Sequence, residues 1–151
     1  MPGRVLSKGG HVLLHRGSAR AADALEAAAE AVRSGRHVLI HAEGGLPSRR
    51  DAGCAAPRPF RTGPARLPAA TGAPVVPVGQ AGARRPACGP VAKRLAGVLT
   101  APVRRPRLHV HIGRPLHPPP GTGAGTRTAH RAVSAAWRRA ARAVGEPVHD
   151  G

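Results

Sequence analysis

Two charged side chains stand just past short apolar runs in this sequence. Arg16 follows Val12-Leu13-Leu14-His15, and Glu43 follows His37-Val38-Leu39-Ile40-His41 after one alanine. If both runs are strands of an open α/β sheet, both groups emerge at its carboxyl edge, where such sheets hold ligands. A guanidinium in that place suits an oxyanion, since its planar fork donates two parallel hydrogen bonds to a phosphate or carboxylate. The plainer readings are a surface arginine and a glutamate that caps a helix or forms an ion pair.

The segment between the two runs can supply the required connection. Ser18 is a candidate N-cap for a helix reaching about Ser34, with Ala22, Leu25, Ala29 and Val32 on one stripe and Gly35 as the stop. Glu26, Glu30 and Arg33 fall off that stripe, as a solvated face requires. A strand, helix, strand unit of this kind is most simply parallel, with a right-handed crossover. Residues 46 to 59 carry Pro47, Pro57, Pro59 and Gly53 and read as loop. Thr62 can cap a short helix, although Pro68 inside it would cost about 3 kcal/mol unless the helix ends early. Pro74-Val75-Val76-Pro77-Val78 reads as a strand flanked by prolines, suited to a sheet edge. A helix from Val91 to Leu99 precedes Pro102 and Pro106. Leu108-His109-Val110-His111-Ile112 alternates as a half-buried strand and closes on Gly113-Arg114-Pro115-Leu116.

In order and spacing these pieces resemble the PlsC-type glycerophospholipid acyltransferases. The family's strand closing on an arginine is matched by His11-Val12-Leu13-Leu14-His15-Arg16. Its F-P-E-G-T-R-S block is matched by Glu43 and Gly44, and its downstream F-x-x-G by Phe60 and Gly63. Its apolar proline-rich strand is matched by Gly72-Ala73-Pro74-Val75-Val76-Pro77-Val78, and a late Gly-x-Pro-Leu by residues 113–116. The resemblance implies an α/β fold, a partial PlsC-like sheet with flanking helices. The implied reaction is transfer of an acyl group from acyl-CoA or acyl carrier protein to lysophosphatidate or a similar glycerol phosphate, with no further cofactor. Arg16 would contact the acceptor's phosphate, Glu43 with the backbone of Gly44 and Gly45 would shape the pocket, and Pro74 to Val78 would form its wall. Gly45 and Leu46 stand where the family has threonine and arginine, so Ser48, Arg49 or Arg50 would have to supply those groups after a small shift.

Such a transfer needs a base for the acceptor hydroxyl, which the family takes from the histidine of an N-H-x4-D block. No histidine in these 151 residues has an aspartate five positions later. The chain starts almost at the arginine block, so the expectation is an impaired or incomplete enzyme: a remnant, a start-site error, or a half that needs another polypeptide. His41 replaces the family's phenylalanine two residues before Glu43. On a continuing strand the two would share a face, which makes His41 a speculative substitute base.

Composition bounds the partners. The chain carries 24 Lys plus Arg against 7 Asp plus Glu, a formal charge of +17, and nearly all of it is arginine. Alanine, glycine, proline and arginine dominate together, as GC-rich codons produce. With Phe60 and Trp137 the only large aromatic rings and no nucleic-acid module in sight, the charge reads as coding bias and nucleic acid is not an expected partner. Leu, Ile, Val and Phe make up just under about a fifth of the residues, which leaves a complete core in doubt. Cys54 and Cys88 form no C-x-x-C pair, so neither a metal site nor a disulfide framework is indicated. No signal-peptide core or membrane-spanning run is visible. The expected location is therefore the cytoplasm, with at most a peripheral contact at the inner face of an anionic membrane.

The organisation expected is a partial domain over residues 1–116, a Pro/Gly linker over 117–126, a C-terminal basic helix over 127–145 and a tail over 146–151. That helix would present Val133, Ala136, Trp137, Ala140 and Val144 on one face, with Arg131, Arg138, Arg139 and Arg142 around the rest. The contrasting reading of the chain is a non-catalytic basic protein that binds anionic lipid or nucleic acid.

Overall fold

A computed structural model describes residues 21–44, 56–82, 95–96, 99–100, 103, 105 and 107–148. The elements are α1 (Ala21–Arg33), α2 (Gly63–Thr71), β1 (Val78–Ala81), β2 (His109–Ile112) and α3 (Thr122–Val144). This is a mixed helix-and-sheet architecture, compatible with the α/β class expected. The segment 12–16 lies outside the described residues, as do Ser18, Cys54, Cys88 and most of the helix expected over 91–99.

Local chemistry stops all three helices. Gly35 adopts φ +79°, its N–H bonds Val32 O and the N–H of Arg36 bonds Ala31 O, both at 2.9 Å. Gly145 repeats the arrangement at φ +71°, with Glu146 N–H on Ala141 O. These are Schellman endings, which satisfy the last carbonyls by using a left-handed residue that glycine adopts without strain. Gly72, φ +70°, ends α2 by the simpler bond to Pro68 O at 2.8 Å. That helix does not end early at Pro68. It runs on to Thr71, and the proline removes only an N–H that would otherwise bond Pro64 O. Thr62 accepts the N–H groups of Ala65 and Arg66 with its carbonyl, while its side chain makes no cap bond.

α1 and α2 meet through Leu67, which is buried against Ala28 and Ala29 with Leu25, Val32 and Val38 around it. Ala22, expected on the same stripe, is exposed. On the opposite side Arg33 reaches Glu26 at 2.9 Å and Glu30 at 3.8 Å, in water as expected.

Three expectations need correction. The run 37–41 is extended but belongs to no ladder among the described residues, because a strand exists only through hydrogen bonds to a neighbour. The one ladder described is antiparallel, with Val78 opposite Ile112 and Ala81 opposite His109. Val75 bridges Leu116 beyond it. Three steps on one side face four on the other, so Gly113–Pro115 holds one extra residue, as in a β-bulge.

The second correction concerns which face of β2 is covered. Alternation predicts its apolar residues inward, yet Leu108, Val110 and Ile112 are 58%, 49% and 67% exposed, with Val78 on β1 and Val76 before it also open. α3 packs on the other face, where Gly79 and Ala81 lie opposite His111 and His109. A Cβ on Gly79 would collide with the backbone of Ala136 and Trp137. The small residues thus admit the helix backbone almost to contact, which valines would prevent.

Third, residues 122–126 belong to α3 and not to a linker. Glycine is a poor helix former, but Gly125 is buried where a Cβ would stand 3.0 Å from that of Ala65 and 3.1 Å from Pro119 O. Close packing against α2 outweighs the local preference. Trp137, expected on the apolar face of this helix, is half-buried with Val144 and Val148 beside a cluster of Ala81, Ala140 and Ala141.

Gly79→Ala should therefore lower stability by about 1–3 kcal/mol, the range for overpacking a tight contact. Thermal unfolding followed by circular dichroism measures it. An unchanged melting temperature would show that α3 does not sit on β1 so closely.

Candidate functional site

The extended run from α1 ends at a tight turn. Gly44 N–H reaches His41 O at 3.3 Å, closing a four-residue loop whose corners are Ala42 and Glu43. Gly44 takes φ +67°, a conformation costing a side-chain-bearing residue roughly 1–2 kcal/mol. Glu43 is exposed at the turn, and among the described residues no ion pair or hydrogen bond involves its carboxylate. Neither plainer reading, a helix cap or an ion pair, describes it.

A second segment closes on this turn across the loop. Arg61 N–H donates to Ala42 O at 2.9 Å. The stem of Arg61 lies against Gly44, where a built Cβ would come within 2.6 Å of Arg61 Cγ and 3.4 Å of Nε. Glycine therefore serves two ends here, the left-handed turn and the room for the arginine. Arg61 lies two residues before α2, whose first turn has Pro64 without an N–H and the N–H groups of Ala65 and Arg66 already on Thr62 O. The backbone bond thus ties the segment that opens α2 to the turn that carries Glu43.

The anticipated site residues divide as follows. Glu43 and Gly44 lie in this turn, and His41 opens it. Arg16, Gly45, Ser48, Arg49 and Arg50 lie outside the described residues, so the shared edge expected for Arg16 and Glu43 falls outside them too. The turn ends the extended run at His41, so placement by strand alternation does not apply to His41 and Glu43. Among the described residues no hydrogen bond joins them. Arg61 was not anticipated. Its signal in the sequence was its place between Phe60 and Gly63, inside a motif read only at its ends.

Phe60 packs edge-to-face on His130 of α3, with ring centroids 4.9 Å apart and planes at 87°. Among the described residues no group of His, Cys, Asp or Glu could hold a metal ion, and no helix is long and apolar enough to cross a membrane.

A sequence model described as Acyltransferase matches residues 1–80 of the 151. The matched part includes the acidic turn, the Phe60-Arg61 segment and α2, and it runs into β1. The chain belongs to the acyltransferase family. No curated protein and no solved structure shows significant similarity to it.

Gly44→Ala should cost about 1–2 kcal/mol from the left-handed backbone alone. The added methyl also displaces the Arg61 stem. Chemical denaturation of Gly44→Ala, Arg61→Ala and the double variant should show non-additive losses. Strict additivity would mean that the two residues do not touch.

Proposed function

We propose that the turn at residues 41–44, together with Arg61, binds the phosphate of an acyl acceptor in a glycerophospholipid acyltransferase site. The acceptor is lysophosphatidate or a related glycerol phosphate, and the donor is acyl-CoA or acyl carrier protein. The observation that carries this reading is the backbone bond from Arg61 to Ala42, which ties the residue bearing the cation to the turn bearing Glu43, with neither side chain in an ion pair among the described residues. Family membership supplies the reaction class. The motifs of Glu43-Gly44 and Phe60-x-x-Gly63 supply the resemblance to the phospholipid enzymes.

In this proposal Arg61, with Arg16, Ser48 and Arg49 from the neighbouring segments, holds the phosphate and so fixes the acceptor hydroxyl for attack on the thioester carbon. Proton removal falls to a base, and these residues contain no His-x4-Asp pair. We nominate His41, whose carbonyl opens the turn carrying Glu43. The imidazole would take the hydroxyl proton as the hydroxyl oxygen forms the new ester bond, and would return it to the thiolate that leaves as the carbon–sulfur bond breaks. The chain acts at or near the inner surface of the membrane that supplies the acceptor.

Thiol release from acyl-CoA in the presence of lysophosphatidate tests the reading directly. Arg61→Ala should weaken acceptor binding about tenfold or more, the scale of a lost hydrogen bond to a charged group. Equal affinity in wild type and variant would remove Arg61 from the site. His41→Ala should lower the rate by about 10²–10⁴-fold, as loss of a positioned base does. An undiminished rate would exclude His41 as the base. The competing reading, a basic protein that binds anionic lipid or nucleic acid without chemistry, is favoured by the charge of +17. It predicts no thiol above the blank and binding that falls steeply with salt.

A further inference from the structure

One side chain of α3, beyond the segment that the family match covers, reaches the loop that carries Arg61. His130 is half-buried, and its Nε2 lies 2.9 Å from the carbonyl oxygen of Pro57, 73 residues earlier. A carbonyl only accepts, so Nε2 bears the hydrogen and donates it. The same imidazole meets the ring of Phe60 edge-to-face. One residue thus fastens both ends of Pro57–Phe60, a stretch with no helix or ladder of its own. Arg61 is the next residue along.

We propose that His130 is a positioning residue, holding Pro57–Phe60 against α3 so that Arg61 keeps its backbone on Ala42 and its stem over Gly44. The proposal rests on the reading of Arg61 as the phosphate contact. His130 touches no ligand. Its effect is to keep a flexible guanidinium preorganised, which reduces the ordering that binding would otherwise demand.

The placement of α3 itself does not depend on this residue. The helix sits on β1 through Ala136, Ala140 and Ala141 and on α2 through Gly125. Loss of the imidazole should leave those contacts in place and release only the loop.

The test uses the full chain with two readouts. The first is the ¹⁵N–¹H signal of the Arg61 Nε–Hε group, assigned by its loss in Arg61→Lys. The second is calorimetric affinity for inorganic phosphate and for glycerol 3-phosphate. His130→Ala should keep its circular dichroism spectrum, move the Arg61 signal toward the averaged position of freely rotating arginines, and weaken phosphate binding roughly three- to tenfold, the scale of one lost hydrogen bond. His130→Gln, whose amide can donate to Pro57, should recover part of that affinity. His130→Phe keeps an aromatic ring without the donor and should stay weak, and it is the variant to read if His130→Ala fails to fold. An unmoved Arg61 signal with unchanged affinity in a folded variant overturns the proposal. Should the wild-type chain bind neither probe, the phosphate reading fails by itself, and the Arg61 signal alone decides whether His130 holds the loop.

Discussion

The near-contact of the α3 backbone with β1 at Gly79 is the constraint on which the described structure depends. The fully buried side chains around that contact are small, with Trp137 half-buried beside them. Of the buried apolar residues described, ten are alanines and one is Leu67, and no large side chain is fully buried. Each alanine removes little surface from water, so hydrophobic transfer per residue is modest. What alanine and glycine allow in exchange is backbone proximity, where many weak dispersion contacts add up. Gly125 against Ala65 and Gly79 against Ala136 are two instances of one packing solution. It tolerates no added methyl at either strand or helix.

This solution has a consequence for the sheet. A helix can cover only one face of a two-stranded ribbon, and it covers the face that lets it come close. Leu108, Val110, Ile112, Val76 and Val78 are left on the other side, with Leu39 76% exposed nearby in sequence to the acidic turn. Apart from Leu67, the bulkier apolar residues described lie outside the buried core. The expectation of a weak core drawn from the low content of Leu, Ile, Val and Phe therefore understates the effect, because placement dilutes the core further than composition does.

How much of this could be read beforehand follows from the range of each determinant. Gly35 was legible as a helix stop because the left-handed backbone it supplies is a local requirement. The late strand was legible from alternation, but its orientation was not. Alternation says that two faces differ, and only the packing partner decides which is covered. The run 117–126 looks like linker to any local criterion, and it was the distant Ala65 that made Gly125 useful in a helix. At the site, Glu43 and Gly44 were visible as a carboxylate and a turn after an apolar run. Arg61 was one arginine among many until the bond to Ala42 joined segments separated by a loop.

That last point bears on what a charge of +17 can and cannot do. The summed field draws phosphate-bearing molecules toward the chain, but at physiological ionic strength it fades within about 8 Å of an exposed charge. Exposed arginines such as Arg127, Arg131 and Arg142 on α3 share in that attraction equally. Selectivity has to come from a cation whose position is already settled before the ligand arrives, since an ordered group loses less freedom on binding. Arg61 meets that condition at its backbone through Ala42 and along its stem through Gly44. The preceding residues are tied in turn to α3 by Phe60 and His130. The charge brings an anion to the neighbourhood of the chain, and the hydrogen bonds behind Arg61 decide where it stops.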